Sequence, residues 1–284
     1  MADRRSPWTV LRNGRVFFGL AVSLTLVVVA LAAPLLAPHD PLAQDLLSSF
    51  LPPFWRSGAD PSFIFGTDSL GRDILSRLIY GARVALTVAV VAASLAALLG
   101  STLGLLAGYY GGWLDGLISR VVDVWMSFPP VLLSVVLAAV VGAGLKAVIL
   151  AIIVVDWTRF CRILRAEVLV QREQDYVAAA VTIGLSRWRV LAVEILPNLM
   201  PTLLVLLTLE MGIAVIVEAI LSFVGLSVAS DAPTWGGLIQ EGRLYINQAW
   251  WMMALPMGCI IVTVLGFNAL GDGLREALDP VLRR

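Results

Sequence analysis

Long apolar runs separated by short charged segments organise this chain. Val16 to Ala37 is apolar without a charge, and further runs lie at about 84–107, 121–143, 146–161, 198–224 and 250–271. As helices rising 1.5 Å per residue, each crosses or nearly crosses ~30 Å of hydrocarbon, and 146–161 is the shortest. The pattern predicts six spans, an all-α polytopic membrane protein, and both termini on one side. Arg4, Arg5, Arg12 and Arg15 precede the first run, as in a signal peptide. That run is longer than a leader's apolar stretch, and Pro34 and Pro38 follow it, so it reads as a retained first span.

The stretch from Asp175 to Pro201, DYVAAAVTIGLSRWRVLAVEILPNLMP, is amphipathic and lies between two apolar runs. Val177, Val181, Leu185 and Trp188 recur at three- and four-residue spacing, which a helix gathers on one side. Ala178, Ala179 and Ala180 keep the adjoining surface small. Gly184 permits a bend, Ser186 offers a cap for a second short helix, and Pro197 closes that helix before Pro201 opens the next run. The spacing fits two readings: a plain linker, or a helix–bend–helix knob that inserts into a partner's groove.

Composition agrees with the membrane reading: 59% of residues are hydrophobic, 14% are charged, and mean hydropathy is +0.90. No polar linker divides the chain, and no repeat is evident. Cys161 and Cys259 form no C-x-x-C and no disulfide framework, so both read as small packed residues. With the first terminus inside, 14 of the 20 basic residues fall on the inner side and 6 on the outer. The positive-inside rule therefore puts both termini and the 175–201 knob in the cytoplasm. The only lysine, Lys146, follows Gly144-Leu145 and lacks the G-x-x-x-x-G-K-[ST] context of an ordinary P-loop.

Polar positions near and within the spans are the candidates for chemistry. The outer loop 38–83 holds Phe65 to Arg83, where Gly66 and Gly71 suit turns and Asp73 and Arg77 stand at i, i+4. Arg120 and Asp123 stand at i, i+3 and read as a neutralising pair. Phe128-Pro129-Pro130 predicts a kink in the third span, and Pro256 one in the sixth. Tyr109, Tyr110, Trp113, Trp250 and Trp251 read as interfacial anchors. Glu210 and Glu218 are acids in an apolar run, which by cost face a cavity or a partner. For Glu210 two readings stay open, a translocation-path group or a protonated acid bonded to a neighbouring span. Glu218 reads as a helix–helix hydrogen-bonding or gating group. His39 reads as ordinary surface, Asp272 as the cap of a short last helix, and Pro280 as its stop.

Several of these stretches resemble one family. The run Ala178-Ala179-Ala180, then Gly184, then Leu196-Pro197, resembles the EAA loop of permease subunits of bacterial ATP-binding-cassette importers. Ala178 stands where that family has Glu, with Asp175 the nearest acid. Phe65 to Arg77 is close to an FGTD-x-x-GRD-x-x-SR signature of the second permease subunit in the dipeptide, oligopeptide and nickel group. Gly108 to Trp113, Glu218 to Leu226 and Gly271 to Pro280 resemble the same group, whereas Glu210 stands where its members usually have a small residue.

The resemblance implies a type I importer permease of the bacterial inner membrane. Residues 1–16 would be a cytoplasmic tail, 17–83 the first span and periplasmic loop, 84–271 the core with its coupling loop at 162–197, and 272–284 a second tail. It implies that Asp175, Tyr176, Ala178, Ala179, Ala180, Gly184, Leu185, Ser186, Leu196 and Pro197 meet the ATPase. Glu218, Ser222 and Phe223 would line or gate the path, with Glu210, this chain's own departure from the family, a candidate beside them. Implied partners are a second permease in a heterodimer, two ATPases carrying ATP and magnesium, and an external binding protein; no nucleic acid, metal or cofactor belongs to this chain, and it is no enzyme. Short peptides lead as substrate, with nickel chelates, glutathione and other small solutes behind. The rivals are an ion-coupled secondary transporter using Glu210 and a non-transporting scaffold.

Overall fold

The computed structural model describes residues 13–227 and 232–278. Among these the chain is helical, with one isolated β-bridge between Thr67 and Asp73. The helices are α1 (Gly14–Leu31), α2 (Ala33–Leu36), α3 (Ile74–Tyr110), α4 (Gly112–Met126), α5 (Pro130–Val141), α6 (Leu145–Gln171), α7 (Asp175–Thr182), α8 (Arg187–Arg189), α9 (Leu196–Phe223), α10 (Trp235–Leu244) and α11 (Trp251–Leu278). Leu46–Ser48 forms a 3₁₀ turn, and Val190–Ile195 a π-helical segment joining α8 to α9.

The centre is α3 lying along α6 in the same direction. Ala92, Ala96, Gly100, Gly104 and Gly108 of α3 recur every fourth residue and are all buried, forming one stripe. A Cβ on Gly104 would come 2.6 Å from the Cys161 carbonyl, and one on Gly108 2.8 Å from Val168 Cβ. Lipid gives apolar side chains no reason to prefer one another, so close backbone approach through small residues is what joins such helices. Around this pair α9 runs antiparallel to α6, with Leu199 buried among Leu164, Val168, Val177 and Ile195. Helix α11 runs antiparallel to α1, where Gly19 meets the Leu270 backbone, and Gly266 and Gly273 meet Val22 and Val16.

These directions sort the molecule into two ends. One carries the start of α1, the close of α3 and α6, α7, α8 and the close of α11. The other carries the loop from Ala37 to Asp73, the close of α9, α10 and the start of α11. Asn13 Nδ2 donates to Glu276 Oε2 at 2.9 Å, so the first and last described helices meet at one end.

Several expectations are corrected. Among the described residues four helices are long and apolar enough to cross a membrane, or five if α4 with α5 counts as one, and the remaining run of the six is α6. Helix α6 has 27 residues, but Asp156, Arg159, Arg162 and Arg165 make it too polar to qualify by composition. The first span ends at Leu31, because Pro34 restarts the chain as α2. The second begins ten residues before its apolar run, since Asp73 caps α3 by accepting from Ser76 N at 2.9 Å. The expected kink at Phe128-Pro129-Pro130 is a 90° break between α4 and α5.

Pro256 and the stretch Gly271-Asp272-Gly273 lie inside one unbroken helix, so Asp272 caps nothing. The flanking glycines are there for packing: Gly271 faces Thr208 and Leu209, and Gly273 faces Val16. Trp251 is buried beneath the Arg56 guanidinium and is no interfacial anchor. His39 is more engaged than ordinary surface, stacking on Phe63 at 4.8 Å with Nδ1 3.5 Å from Asp73 Oδ2. Arg4, Arg5, Arg12, Asp231, Pro280, Arg283 and Arg284 lie outside the described residues.

Candidate functional site

The 175–201 segment is an elbow mounted on α6 and α9. Gln174 and Asp175 open α7, which turns only as far as Thr182 before Gly184 reverses the chain at φ +86°. A Cβ there meets nothing within 4 Å, so the backbone conformation and not crowding calls for glycine. Val177 and Ala180 are buried against Leu164, Val168, Leu191 and Ile195, which fixes α7 to the pillar. Tyr176 Oη donates to Gln171 Oε1 at 2.7 Å and accepts from Asn198 Nδ2 at 3.2 Å, tying the elbow's two arms together. Arg172 Nη1 donates to the Gly108 carbonyl at 3.0 Å, and Tyr110 packs edge-on to Trp188 at 6.2 Å.

The single stripe expected of Val177, Val181, Leu185 and Trp188 is divided. Val177 is buried and Leu185 half-buried, but Val181 is exposed on the same arm, and Trp188 is exposed beyond the bend at Gly184, which rotates the second arm. Ser186 makes no side-chain cap. Pro197 closes no helix: it stands in the first turn of α9, and Pro201 lies within it. Since Pro197 has no N–H to give and its ring crowds the carbonyl four residues back, the backbone widens ahead of it. Leu196 N–H accordingly reaches Leu191 O, five residues away. The outward surface is Asp175, Tyr176, Ala178, Ala179, Val181, Ile183, Gly184, Ser186 and Trp188, with Ile183 77% and Trp188 64% exposed.

Two polar nodes occupy α9. Glu210 is 1% exposed, and its Oε2 accepts from Arg159 Nη1 of α6 at 3.0 Å, with Asp156 beside it. The bond reaches a neighbouring span, and it leaves the path and protonated-acid readings both standing. Glu218 Oε1 accepts from Ser222 Oγ at 2.6 Å and Ser227 Oγ at 3.0 Å, all three residues buried. Phe223 lies under the Arg243 guanidinium at 5.2 Å.

The opposite end is held by a charge network that sequence reasoning assembled only in part. Asp68 accepts from Leu70 N at 2.8 Å, Arg72 N at 3.0 Å, Arg72 Nε at 2.7 Å and Arg77 Nη1. Arg72 and Arg77 also donate to Glu241 of α10. Arg77 was expected to pair with Asp73, but Asp73 is spent on the cap and on Ser76 Oγ at 2.5 Å. The Glu241 partner is 164 residues from Arg77, beyond any local spacing rule. Beside this network a pocket of about 220 Å³ is lined by Arg72, Arg77, Ser222, Ser227, Gln240 and Glu241. At the elbow end Asp123 pairs with Arg162 at 2.8 Å and not with Arg120. Asp115 accepts from Arg165 Nε and, at 2.7 Å, from Arg165 Nη2.

Residues 100–284 match the model of the binding-protein-dependent transport system inner membrane component, and 8–53 match the N-terminal TM domain of oligopeptide transport permease C. The chain is 40% identical to the di/tripeptide transport system permease protein DppC of Pseudomonas aeruginosa, over 93% of this chain and 88% of that one. It is 41% identical to the dipeptide transport system permease protein DppC of Escherichia coli K12, over 96% and 91%. It is 38% identical to the Bacillus subtilis protein of that name, over 99% and 86%. Its fold is shared with a chain of the MetNI methionine ABC transporter solved in inward-facing conformations, at TM-score 0.60 and 20% identity, covering 72% of this chain and 98% of that one. With that family model matched over residues 100–284 and relatives of about 40% identity along nearly the whole chain, the chain belongs to the family of binding-protein-dependent transport system inner membrane components.

Proposed function

We propose that this chain is one of two permease subunits of an ATP-driven importer of short peptides in the bacterial inner membrane. The peptide assignment rests on relatives of about 40% identity named as dipeptide permeases. The observation that carries the coupling role is the elbow. It is braced by buried Val177 and Ala180, yet presents Ile183 and Trp188 outward at the end where α1 starts and α11 closes. An apolar, charge-flanked knob of this kind fits a groove on a soluble partner.

The elbow end faces the cytoplasm in this reading, following the basic residues. ATP closes two partner ATPases, each drawing one elbow with it. Helices α6 and α9, joined at the elbow, carry the motion to the opposite end, where the binding protein delivers substrate. Differential contact in the two states is what moves the equilibrium. ATP and magnesium stay on the partner chains.

The test is reconstitution with the second permease, both ATPases and the binding protein. Gly184→Val forces a β-branched residue into a left-handed backbone, so the elbow changes shape while the spans do not. Peptide uptake should be lost and ATP hydrolysis no longer stimulated by loaded binding protein, with normal membrane insertion. Uptake at the wild-type rate would refute the coupling role. In a background with Cys161 and Cys259 replaced by Ser, labelling of Gly184→Cys from outside the cell would refute the orientation.

A further inference from the structure

The loop from Ala37 to Asp73 folds back on itself as an open hairpin whose tip is apolar and uncovered. Phe50 N donates to Asp68 O at 3.0 Å, Thr67 N to Leu51 O at 3.1 Å and Phe54 N to Ile64 O at 3.0 Å, which sets residues 50–54 against 64–68. At the tip Phe54 is 65% exposed, Trp55 stands edge-on to it at 5.1 Å, and Ile64 is exposed beside them. Closer to the body Phe50 packs edge-on against Tyr245 at 5.0 Å. Leu244 and Ile246, on either side of that tyrosine, are exposed, Leu244 to 70%. Uncovered apolar surface of this extent marks a contact with something apolar.

Two contacts set the height of the hairpin. The Arg56 guanidinium lies 5.3 Å over the ring of Trp251, the first residue of α11, and α11 is long and apolar enough to cross a membrane. Phe50 and Phe65 pack against the buried cluster that holds Trp251 and Met252. The hairpin therefore sits level with the first turn of a span and does not stand above it. Trp250 makes the tip continuous with the outside of that span. Its carbonyl accepts from Met253 N and Ala254 N at the head of the helix. Met257, Ile261 and Leu265 follow it at seven- and four-residue intervals, exposed on the same face. Exposed apolar residues along a span face lipid, and Trp, Phe and Leu at its end are the residues of an interfacial anchor.

We propose that the hairpin tip is a membrane anchor, Phe54 and Trp55 seated in the headgroup boundary of the leaflet at that end, beside Leu244, Ile246 and Trp250. Arg56 keeps its guanidinium at the same level, within reach of lipid phosphates. Because Asp68 at the hairpin's base binds Arg77, and Arg77 binds Glu241, the anchor also sets the height of α10. The anchor depends on the depth of the hairpin and not on what the protein carries.

The test uses the assembled importer in nanodiscs, with Cys161 and Cys259 replaced by Ser and an NBD fluorophore on Phe54→Cys or, with the tip itself intact, on Ile246→Cys. Ile261→Cys is the lipid reference, and NBD-labelled cysteine in buffer the water reference. Quenchers are lipids with a nitroxide at the headgroup end of the acyl chain, lipids with it near the chain's far end, and aqueous iodide. At both positions the shallow nitroxide should quench about twofold or more better than the deep one, as for a seat about 5–10 Å into the boundary, and iodide should quench about half as well as in buffer or less. At Ile261→Cys the order of the two nitroxides should reverse. Full iodide quenching with no effect of either nitroxide overturns the proposal, the tip then standing in water. Protection from all three quenchers overturns it as well, since protein then covers the patch. Shallow quenching that disappears when the binding protein is added makes the patch that protein's dock, and overturns the anchor.

Discussion

Gly104→Ala isolates the contact on which the α3–α6 pillar is built. The added Cβ stands 2.6 Å from the Cys161 carbonyl, 3.1 Å from Arg165 N and 3.2 Å from Cys161 Cα. Ordinary contact begins at 3.4 Å, so the helices must part by about 0.8 Å. All three near atoms are backbone, so no rotamer change relieves the clash. A gap of about 0.5–1 Å already forfeits a quarter to a half of each dispersion contact along the seam. Overpacking of this kind costs about 1–3 kcal/mol. The control is Gly116→Ala in α4, where a Cβ meets nothing within 4 Å. There alanine should be neutral or stabilise by about 0.5–1 kcal/mol through helix propensity. Equilibrium unfolding of the detergent-solubilised protein reads both. Equal stability of the two variants would refute close backbone approach as what joins α3 to α6.

Other expectations follow from the polar contacts. Asp68→Asn keeps the shape but leaves Arg72 and Arg77 only Glu241 as counter-charge, and should cost about 1–3 kcal/mol in the same unfolding measurement; no measurable change would show that Asp68 does not hold the loop. Trp235→Phe removes the 3.0 Å bond from its indole to Leu78 O and should cost about 1–3 kcal/mol, loosening α10 from α3 in hydrogen exchange. Asp123→Asn, by contrast, breaks a pair whose side chains are 56% and 61% exposed, and should shift stability by no more than about 1 kcal/mol at any salt concentration.

Apolar runs located the body of each crossing in the sequence, because lipid leaves the backbone few alternatives to helix. What they missed were ends and interruptions. Helix α3 starts early because the Asp73 side chain caps it, and α6 extends past its apolar core because its arginines reach acids on α4 and α9. The elbow's bend at Gly184 was legible from one glycine. The continuity through Pro197 was not, since a π turn stores the mismatch that proline rules assign to a break. Arg120 with Asp123 and Asp73 with Arg77 were read from helical spacing, and in both cases a distant partner won. The Asp156–Arg159–Glu210 cluster could have been suspected from two acids and a base within apolar runs, but only the packing of α6 on α9 brings them together.

The glycine stripe also bears on how the protein is made. Gly100 of α3 meets Trp157 of α6, a residue 57 positions later in the chain. At synthesis rates of about 5–20 residues per second, its mate emerges about 3–11 s afterwards. Meanwhile the notched face of α3 sits in lipid with nothing to fill it, and α4 and α5 must fold back before the two can zip. A premature neighbour bearing its own small-residue groove could capture that face before α6 arrives.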